Sequence, residues 1–335
     1  MLLQRHPDNP ILLPGTWPWR GVTTFNPGVV IDDDGSFLML ERAVSSLAPL
    51  HSHFGLLRSS DGVHFEHVVD QPVFTAAMLG APRGTVEDPR IVKIGGRFVM
   101  TYVFRSYASS CFPNGVGVPD YHNPVDVPPG DPNNYRSGIA VSDDAVDWQD
   151  QGLMTPPEVD DRDCVLFPEQ IDGDYLMLRR PQVYDGPQFG GLAKPSIWVS
   201  RSRDLQDWSA PQLVAEPVFD WEHRKIGAAA QPLATEAGWL TFYHGVDADG
   251  RYRTGLMLLD RDDPSRVIAR CPEPIFGPER SYERVGLIIP NVVFPSANVV
   301  KDDTIFIYYG CCDTTIALAT VGLGEALDHV RRFPC

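Results

Sequence analysis

The sequence predicts an all-β chain folded as one five-bladed β-propeller, and three observations lead there. A turn residue followed by an apolar, aromatic-rich run occurs five times, beginning at residues 35, 96, 173, 238 and 303. Each run is preceded by a second apolar stretch, so that five hairpins result. The 335 residues include 29 Gly and 31 Pro, which suits many tight turns between short strands. A radial repeat of about 65 residues that fills the chain fits a propeller. A β-sandwich has no reason to repeat hairpin and outer turn together.

The elements follow in order. The leading strand of each hairpin is read at Asn26 to Ile31, Asp88 to Lys93, Val165 to Ile171, Ala230 to Ala234 and Phe294 to Val300. The returning strands are Ser36 to Arg42, Arg97 to Tyr102, Asp174 to Arg180, Trp239 to His244 and Thr304 to Tyr309. Third strands follow the first four hairpins, at His53 to Arg58, Ser137 to Ser142, Ser196 to Arg201 and Thr254 to Asp260. Three of these lead into one pattern, a Ser and an Asp in a polar turn and then an aromatic: Phe65, Trp148 or Trp208. A Pro-, Gly- and Asn-rich insertion over 104–136 is a lid, an oligomer contact or a plain surface excursion. Residues 322–332 read as a short helix.

Composition narrows the function classes. The 43% hydrophobic content is ample for a large core, and a formal net charge of −16 argues against a broad nucleic-acid surface. The six cysteines show neither a CxxC pair nor zinc-ligand spacing, so neither a structural metal nor a disulfide framework is expected. Met1 to Pro7 lack the apolar core of a signal peptide, and no run of about 18 apolar residues occurs. A cytoplasmic, membrane-free protein is the expectation. His51 and His53 read as a solvated face rather than a metal cluster.

In a propeller the first strand of each blade lines the axis, so polar residues at its start and at the end of the second strand can converge. The first-strand starts give Asn26, Asp88, Glu169, Gln231 and Asn298; the second-strand ends give Arg42, Arg180, His244 and, just beyond, Asp313. A structural repeat needs no different acid, amide or base in each copy. Asp88, in Glu87-Asp88-Pro89-Arg90, is either an axial carboxylate or a turn residue capping its own backbone. Arg162 and Arg180 lie on one hairpin and His244 ends the equivalent strand of the next. Two forked donors and an imidazole suit a phosphate dianion, unless each arginine is instead occupied by Asp160, Asp161 or Asp163. Neither a P-loop nor a HExxH or Gly-x-Ser-x-Gly motif occurs.

Ordered segments then carry a resemblance: Asn9-Pro10-Ile11-Leu12, Phe25-Asn26-Pro27-Gly28, Glu87-Asp88-Pro89-Arg90-Ile91, Val165-Leu166-Phe167-Pro168-Glu169, Arg179-Arg180-Pro181, Lys225-Ile226-Gly227, Tyr243-His244-Gly245-Val246, and Tyr308-Tyr309-Gly310 with Asp313. Over nearly its whole length the chain resembles glycoside hydrolase family 130, the mannoside phosphorylases and related mannosidases, whose fold is a five-bladed propeller. The resemblance implies that Asp88 is the catalytic acid and that Arg162, Arg180 and His244 bind phosphate. It implies that Asn26, Arg42, Lys225, Tyr252 and Asp313 line the sugar subsites. Arg179 departs from the family, which often has His there, and so does the stretch 227–232.

The implied reaction is inverting phosphorolysis of a β-mannoside to α-mannose 1-phosphate. The acid acts through the sugar 3-hydroxyl, and inorganic phosphate is co-substrate with no further cofactor. A phosphate nucleophile removes the need for a second carboxylate. The alternatives are a β-mannosidase using Glu169 or Asp313 as base, a noncatalytic carbohydrate-binding propeller, and a furanosidase, which needs three axial carboxylates. The expected partners are a β-mannoside and phosphate, with no nucleic acid and no membrane, and the insertion and termini can pair copies into a homo-oligomer.

Overall fold

A computed structural model describes residues 1–109, 127–128, 130, 133–181 and 194–335, and they form five sheets in a ring, the five-bladed propeller. Blade 1 is Thr23–Ile31, Phe37–Leu47, Leu50–Ser59 and Glu66–His67; blade 2 is Thr85–Ile94, Arg97–Arg105, Arg136–Ser142 and Gln149–Leu153. Blade 3 is Asp161–Leu166, Tyr175–Pro181, Ile197–Ser202 and Gln212–Ala215. In blade 4 the inner strand is split into Lys225–Ala228 and Leu233–Thr235, followed by Gly238–Val246, Tyr252–Leu259 and Val267–Arg270. Blade 5 is Val293–Lys301, Thr304–Cys311 and Thr315–Gly322, and its outer strand is Gln4–Arg5 from the start of the chain. The ring is thus closed by joining its two ends within one sheet, which leaves fewer open edges.

The fifth blade's third strand, to which the sequence reading assigns no residues, is Thr315–Gly322, and the helix after it runs Leu323–Val330. Blade 3 corrects a second expectation. Its inner strand is Asp161–Leu166, not the apolar stretch beginning at Val165. Glu169 therefore sits on the outer loop, half-exposed, with Arg261 Nη2 at 2.5 Å from its Oε1. The insertion read at 104–136 falls mostly outside the described residues.

Apolar side chains fill the seams between blades rather than the axis. Phe54, Phe74, Met100 and Tyr102 pack between blades 1 and 2, and Val165, Phe167 and Trp239 between blades 3 and 4. Phe242, Phe276 and Tyr309 lie between blades 4 and 5, and Val29, Phe37 and Tyr308 between blades 5 and 1. Each fully buried aromatic or branched side chain contributes about 1.5–3 kcal/mol, so the ring is stable while its centre is left to polar groups. The outer turns form as expected. Asp61, Asp144 and Asp204 each accept two backbone amides at 2.8–2.9 Å, and the Trp148 and Trp208 indoles donate back to the turns before them.

Polar bonds tie the inner strands across the axis. Gln231 Nε2 donates to the carbonyls of Val29 and Asn298, Arg90 Nε to Ala229 O, and Ser296 Oγ to Pro27 O. This packing fills the middle of the channel and leaves a hollow where the inner strands begin.

Candidate active site

Register builds the site. In blades 1, 2 and 3 the inner strand carries a bulge whose first residue has a left-handed backbone: Asn26 at φ 46°, Asp88 at 51° and Asp163 at 53°. Asn and Asp tolerate that conformation better than most residues, and a bulge re-aims a side chain out of the pleat. The residue before each bulge pairs with one on the second strand: Phe25 with Arg42, Glu87 with Val103 and Arg162 with Arg180. In blades 4 and 5 the matching pairs are Gly227 with His244 and Phe294 with Gly310. Five equivalent positions thus deliver different side chains to one end of the axis.

They surround a pocket of about 320 Å³ whose lining includes all nine residues that the resemblance assigns to the site: Asn26, Arg42, Asp88, Arg162, Arg180, Lys225, His244, Tyr252 and Asp313. Glu169, Gln231 and Asn298, also read as strand starts, lie outside that lining. Asp163, Glu87 and Tyr135 line the pocket as well, and sequence reasoning missed them. The signal for Asp163 was available, since it stands one residue after Arg162 as Asn26 stands after Phe25; aligning blade 3 on Val165 hid it.

On one wall, Asp88 Oδ1 accepts from Asn26 Nδ2 at 2.9 Å and from Arg42 Nη1 at 2.8 Å. Arg42 also reaches Glu87 Oε2 at 3.1 Å and lies over the Phe25 ring, and these acids hold its guanidinium well above the ordinary range against the cost of burial. Both bonds to Asp88 fall on one oxygen; among the described residues no donor occupies Oδ2. Asp313, left-handed at φ 49° in the turn before Thr315, joins this wall. Burial pushes its carboxyl up to about 7, with Asp88 and Glu87 acting in the same direction and Arg42 opposing.

The opposite wall is cationic. Arg180 Nε donates to Asp163 Oδ2 at 2.5 Å, and His244 Nε2 lies 3.6 Å from the same oxygen. Arg162 is held by both oxygens of Asp160 at 3.0 and 3.1 Å, with its guanidinium 3.4 Å from the centre of the Tyr135 ring. The two readings of the arginines were therefore not exclusive. Each is anchored by an aspartate and still lines the pocket, because a buried guanidinium needs a fixed counter-charge to stay oriented. Arg179 is different: it pairs with Asp161 and stays outside the lining. Lys225 Nζ sits over the Tyr252 ring at 5.1 Å, and Tyr252 stacks beside His244 with ring centres 5.8 Å apart.

His244 is fully buried, and neither ring nitrogen has a hydrogen-bond partner among the described residues. Burial pulls its pKa down to about 3, against Asp163 and with Arg180, Lys225 and Arg90 adding to the effect. At neutral pH it is an uncharged imidazole with one N–H to give. A carboxylate with a free oxygen thus faces two anchored guanidiniums, an ammonium and an unspent imidazole donor. Such a pair of walls can protonate a leaving group and hold a tetrahedral anion. Among the described residues no group of three or more His, Cys, Asp or Glu side chains is arranged to hold a metal ion, and no helix is long and apolar enough to cross a membrane.

Comparison with known proteins gives concordant findings. The model of glycoside hydrolase family 130, described as beta-1,4-mannooligosaccharide phosphorylase, matches residues 9–113 and 131–332. A 1,2-beta-oligomannan phosphorylase of Thermoanaerobacter sp. (strain X514) is 35% identical over 96% of this chain and 98% of its own. A beta-1,4-mannooligosaccharide phosphorylase of Ruminococcus albus is 31% identical over 98% and 91%. Among solved structures, a beta-1,2-mannobiose phosphorylase from Listeria innocua superposes with a TM-score of 0.78 at 24% identity, covering 99% of this chain and 100% of that one.

Proposed function

Since the chain belongs to glycoside hydrolase family 130, we propose that it is an inverting β-mannoside phosphorylase that transfers a mannosyl unit to inorganic phosphate. The observation that carries this reading is the facing of Asp88 by a cationic wall of Arg162, Arg180, Lys225 and His244 in one pocket. A phosphate oxygen attacks the anomeric carbon as the glycosidic C–O bond breaks. Asp88 gives its proton to the sugar 3-hydroxyl, whose own proton passes to the departing oxygen. The products are α-mannose 1-phosphate and the shortened acceptor.

The residues divide the work. Arg42 and Asn26 fix Asp88 through Oδ1, so Oδ2 is the oxygen available to the 3-hydroxyl. Arg162 and Arg180, each pinned by an aspartate, present the phosphate in line with the anomeric carbon, and His244 adds a neutral donor. Arg42, Asn26, Lys225, Tyr252 and Asp313 hold the sugar.

Hydrolysis by the same pocket would need a carboxylate base. Glu169 is on the outer rim, and the Asp313 carboxyl holds its proton up to about pH 7. The names of the relatives span β-1,2 and β-1,4 linkages, so the test uses both. Incubation with β-1,2- and β-1,4-mannobiose should release mannose 1-phosphate from at least one of them only when phosphate is supplied. Equal cleavage without phosphate would refute the reading.

A further inference from the structure

Behind the wall that carries Tyr252 lies a second pocket, of about 470 Å³, which Arg251, Arg253 and Arg284 line and which no acidic residue lines. In a chain of net charge −16, a hollow lined by three arginines and by no acid departs from the overall charge. Two are held from the rear. Arg253 Nη1 donates to Asp247 Oδ2 at 2.7 Å, and Arg251 Nη2 lies 3.2 Å from Asp249 Oδ2. Asp247 is itself fixed, its Oδ1 accepting the amides of Asp249 and Arg251 at 2.9 Å each. The stem of Arg253 runs along Gly277, where an added Cβ would meet its Cγ at 3.4 Å. Arg284 is exposed and forms no ion pair among the described residues. Phe276 and Asn291 complete an apolar and an amide side.

The two pockets share a wall. Tyr252, at the start of its strand, lines the mannosyl pocket, while Arg253, the next residue and so on the opposite face, and Arg251, just before the strand, line the second. Tyr252 N donates to Asn291 O at 3.0 Å and Asn291 N to Arg284 O at 3.2 Å, which joins the arginines through backbone. On the other side Val292 lines the mannosyl pocket.

We propose that the Arg251, Arg253, Arg284 pocket binds a phosphorylated small molecule at a site separate from that of the reaction. Arginine forks match phosphoryl oxygens, and the volume lies within the roughly 300–1,000 Å³ usual for small-molecule sites, more than a bare phosphate fills. The site stands whether or not the reaction is phosphorolysis. The test is calorimetric titration of the whole protein with mannose 1-phosphate and, in a second arm, with inorganic phosphate. Both are run on an Arg162→Ala/Arg180→Ala background, which disables the cationic wall of the first pocket. One site should survive there, tighter for the sugar phosphate, and should weaken at least about tenfold when Arg251→Ala and Arg284→Ala are added. No binding in that background, binding that those two changes leave intact, or inorganic phosphate bound as tightly as the ester would overturn the proposal. Should the background variant not fold, stoichiometry decides: Arg251→Ala/Arg284→Ala alone must lose one equivalent of mannose 1-phosphate relative to the unaltered protein, and losing none refutes the site.

Discussion

On the wall built by blades 1, 2 and 5, the Asp88 side chain remains 21% exposed to the pocket, whereas on the wall built by blades 3 and 4 Asp163 and Arg180 are nearly enclosed and His244 is wholly so. On the proposed function the first wall exchanges a proton with a substrate, and its acid keeps an oxygen free. The second presents fixed donors to an anion, and each of its arginines is tied to an aspartate. Preorganised dipoles and charges in a dry site cost little reorganisation at the moment of reaction. Each wall also depends on one glycine: Gly227, whose missing side chain makes room for Asp163, His244 and Arg180, and Gly310, which makes room for Asn26.

The largest effect is expected from Asp88→Asn, which should lower turnover by about 10³-fold while phosphate binding, followed by calorimetry, stays within twofold. A comparable loss of phosphate affinity would mean that the walls are not separable. Next come the paired glycine changes. A Cβ at Gly227 would stand 2.1 Å from Asp163 Oδ2, 2.5 Å from His244 Cε1 and 2.8 Å from Arg180 Nε. Gly227→Ala should therefore weaken phosphate binding by about 100-fold and lower the melting temperature. At Gly310 the added Cβ would meet Asn26 Oδ1 at 2.0 Å and Asn26 N at 3.0 Å. Gly310→Ala should loosen Asp88 and reduce turnover about tenfold with phosphate affinity intact; kinetics in which both variants move the same parameter would break the comparison.

The smallest effects concern pH, and the walls have opposite signs. Asp313 is raised from 3.8 to about 7 in the folded protein, so the native state binds the extra proton and stability falls as pH rises from about 4 to 7. His244 is lowered from 6.5 to about 3, so the unfolded state binds the extra proton and stability falls as pH drops from 6.5 towards 3. Thermal melts across pH should show Asp313→Asn gaining stability above pH 7 relative to the unaltered protein, by a few degrees. His244→Gln should instead lose the decline on the acid side. Parallel curves for both variants would show that neither group carries its assigned shift.

Much of this was legible in the sequence because the repeat is local. Turn residues and aromatic runs mark each hairpin, and departures such as Asp88, Arg180 and His244 stand out once the copies are aligned. What stayed hidden follows from register. The apolar run after Val165 looks like a strand, yet the strand is the more polar Asp161–Leu166, whose Asp163 repeats the bulge of Asn26 and Asp88. Bulges and strand closure by Gln4–Arg5 depend on pairing between distant segments, and hydrophobic patterning does not record that. The pairing of each arginine with an aspartate was likewise a choice among three neighbours that only geometry resolves.

On the proposed function, an acid wall facing a phosphate-binding wall makes one demand on the product. Phosphate held opposite the departing oxygen attacks from the face that bond does not occupy. Phosphorus and proton NMR of the reaction on β-mannobiose reads that demand directly, because a glycosyl phosphate keeps its anomeric configuration in solution. The expected product is α-mannose 1-phosphate; β-mannose 1-phosphate, or free mannose formed at the same rate without phosphate, would contradict it.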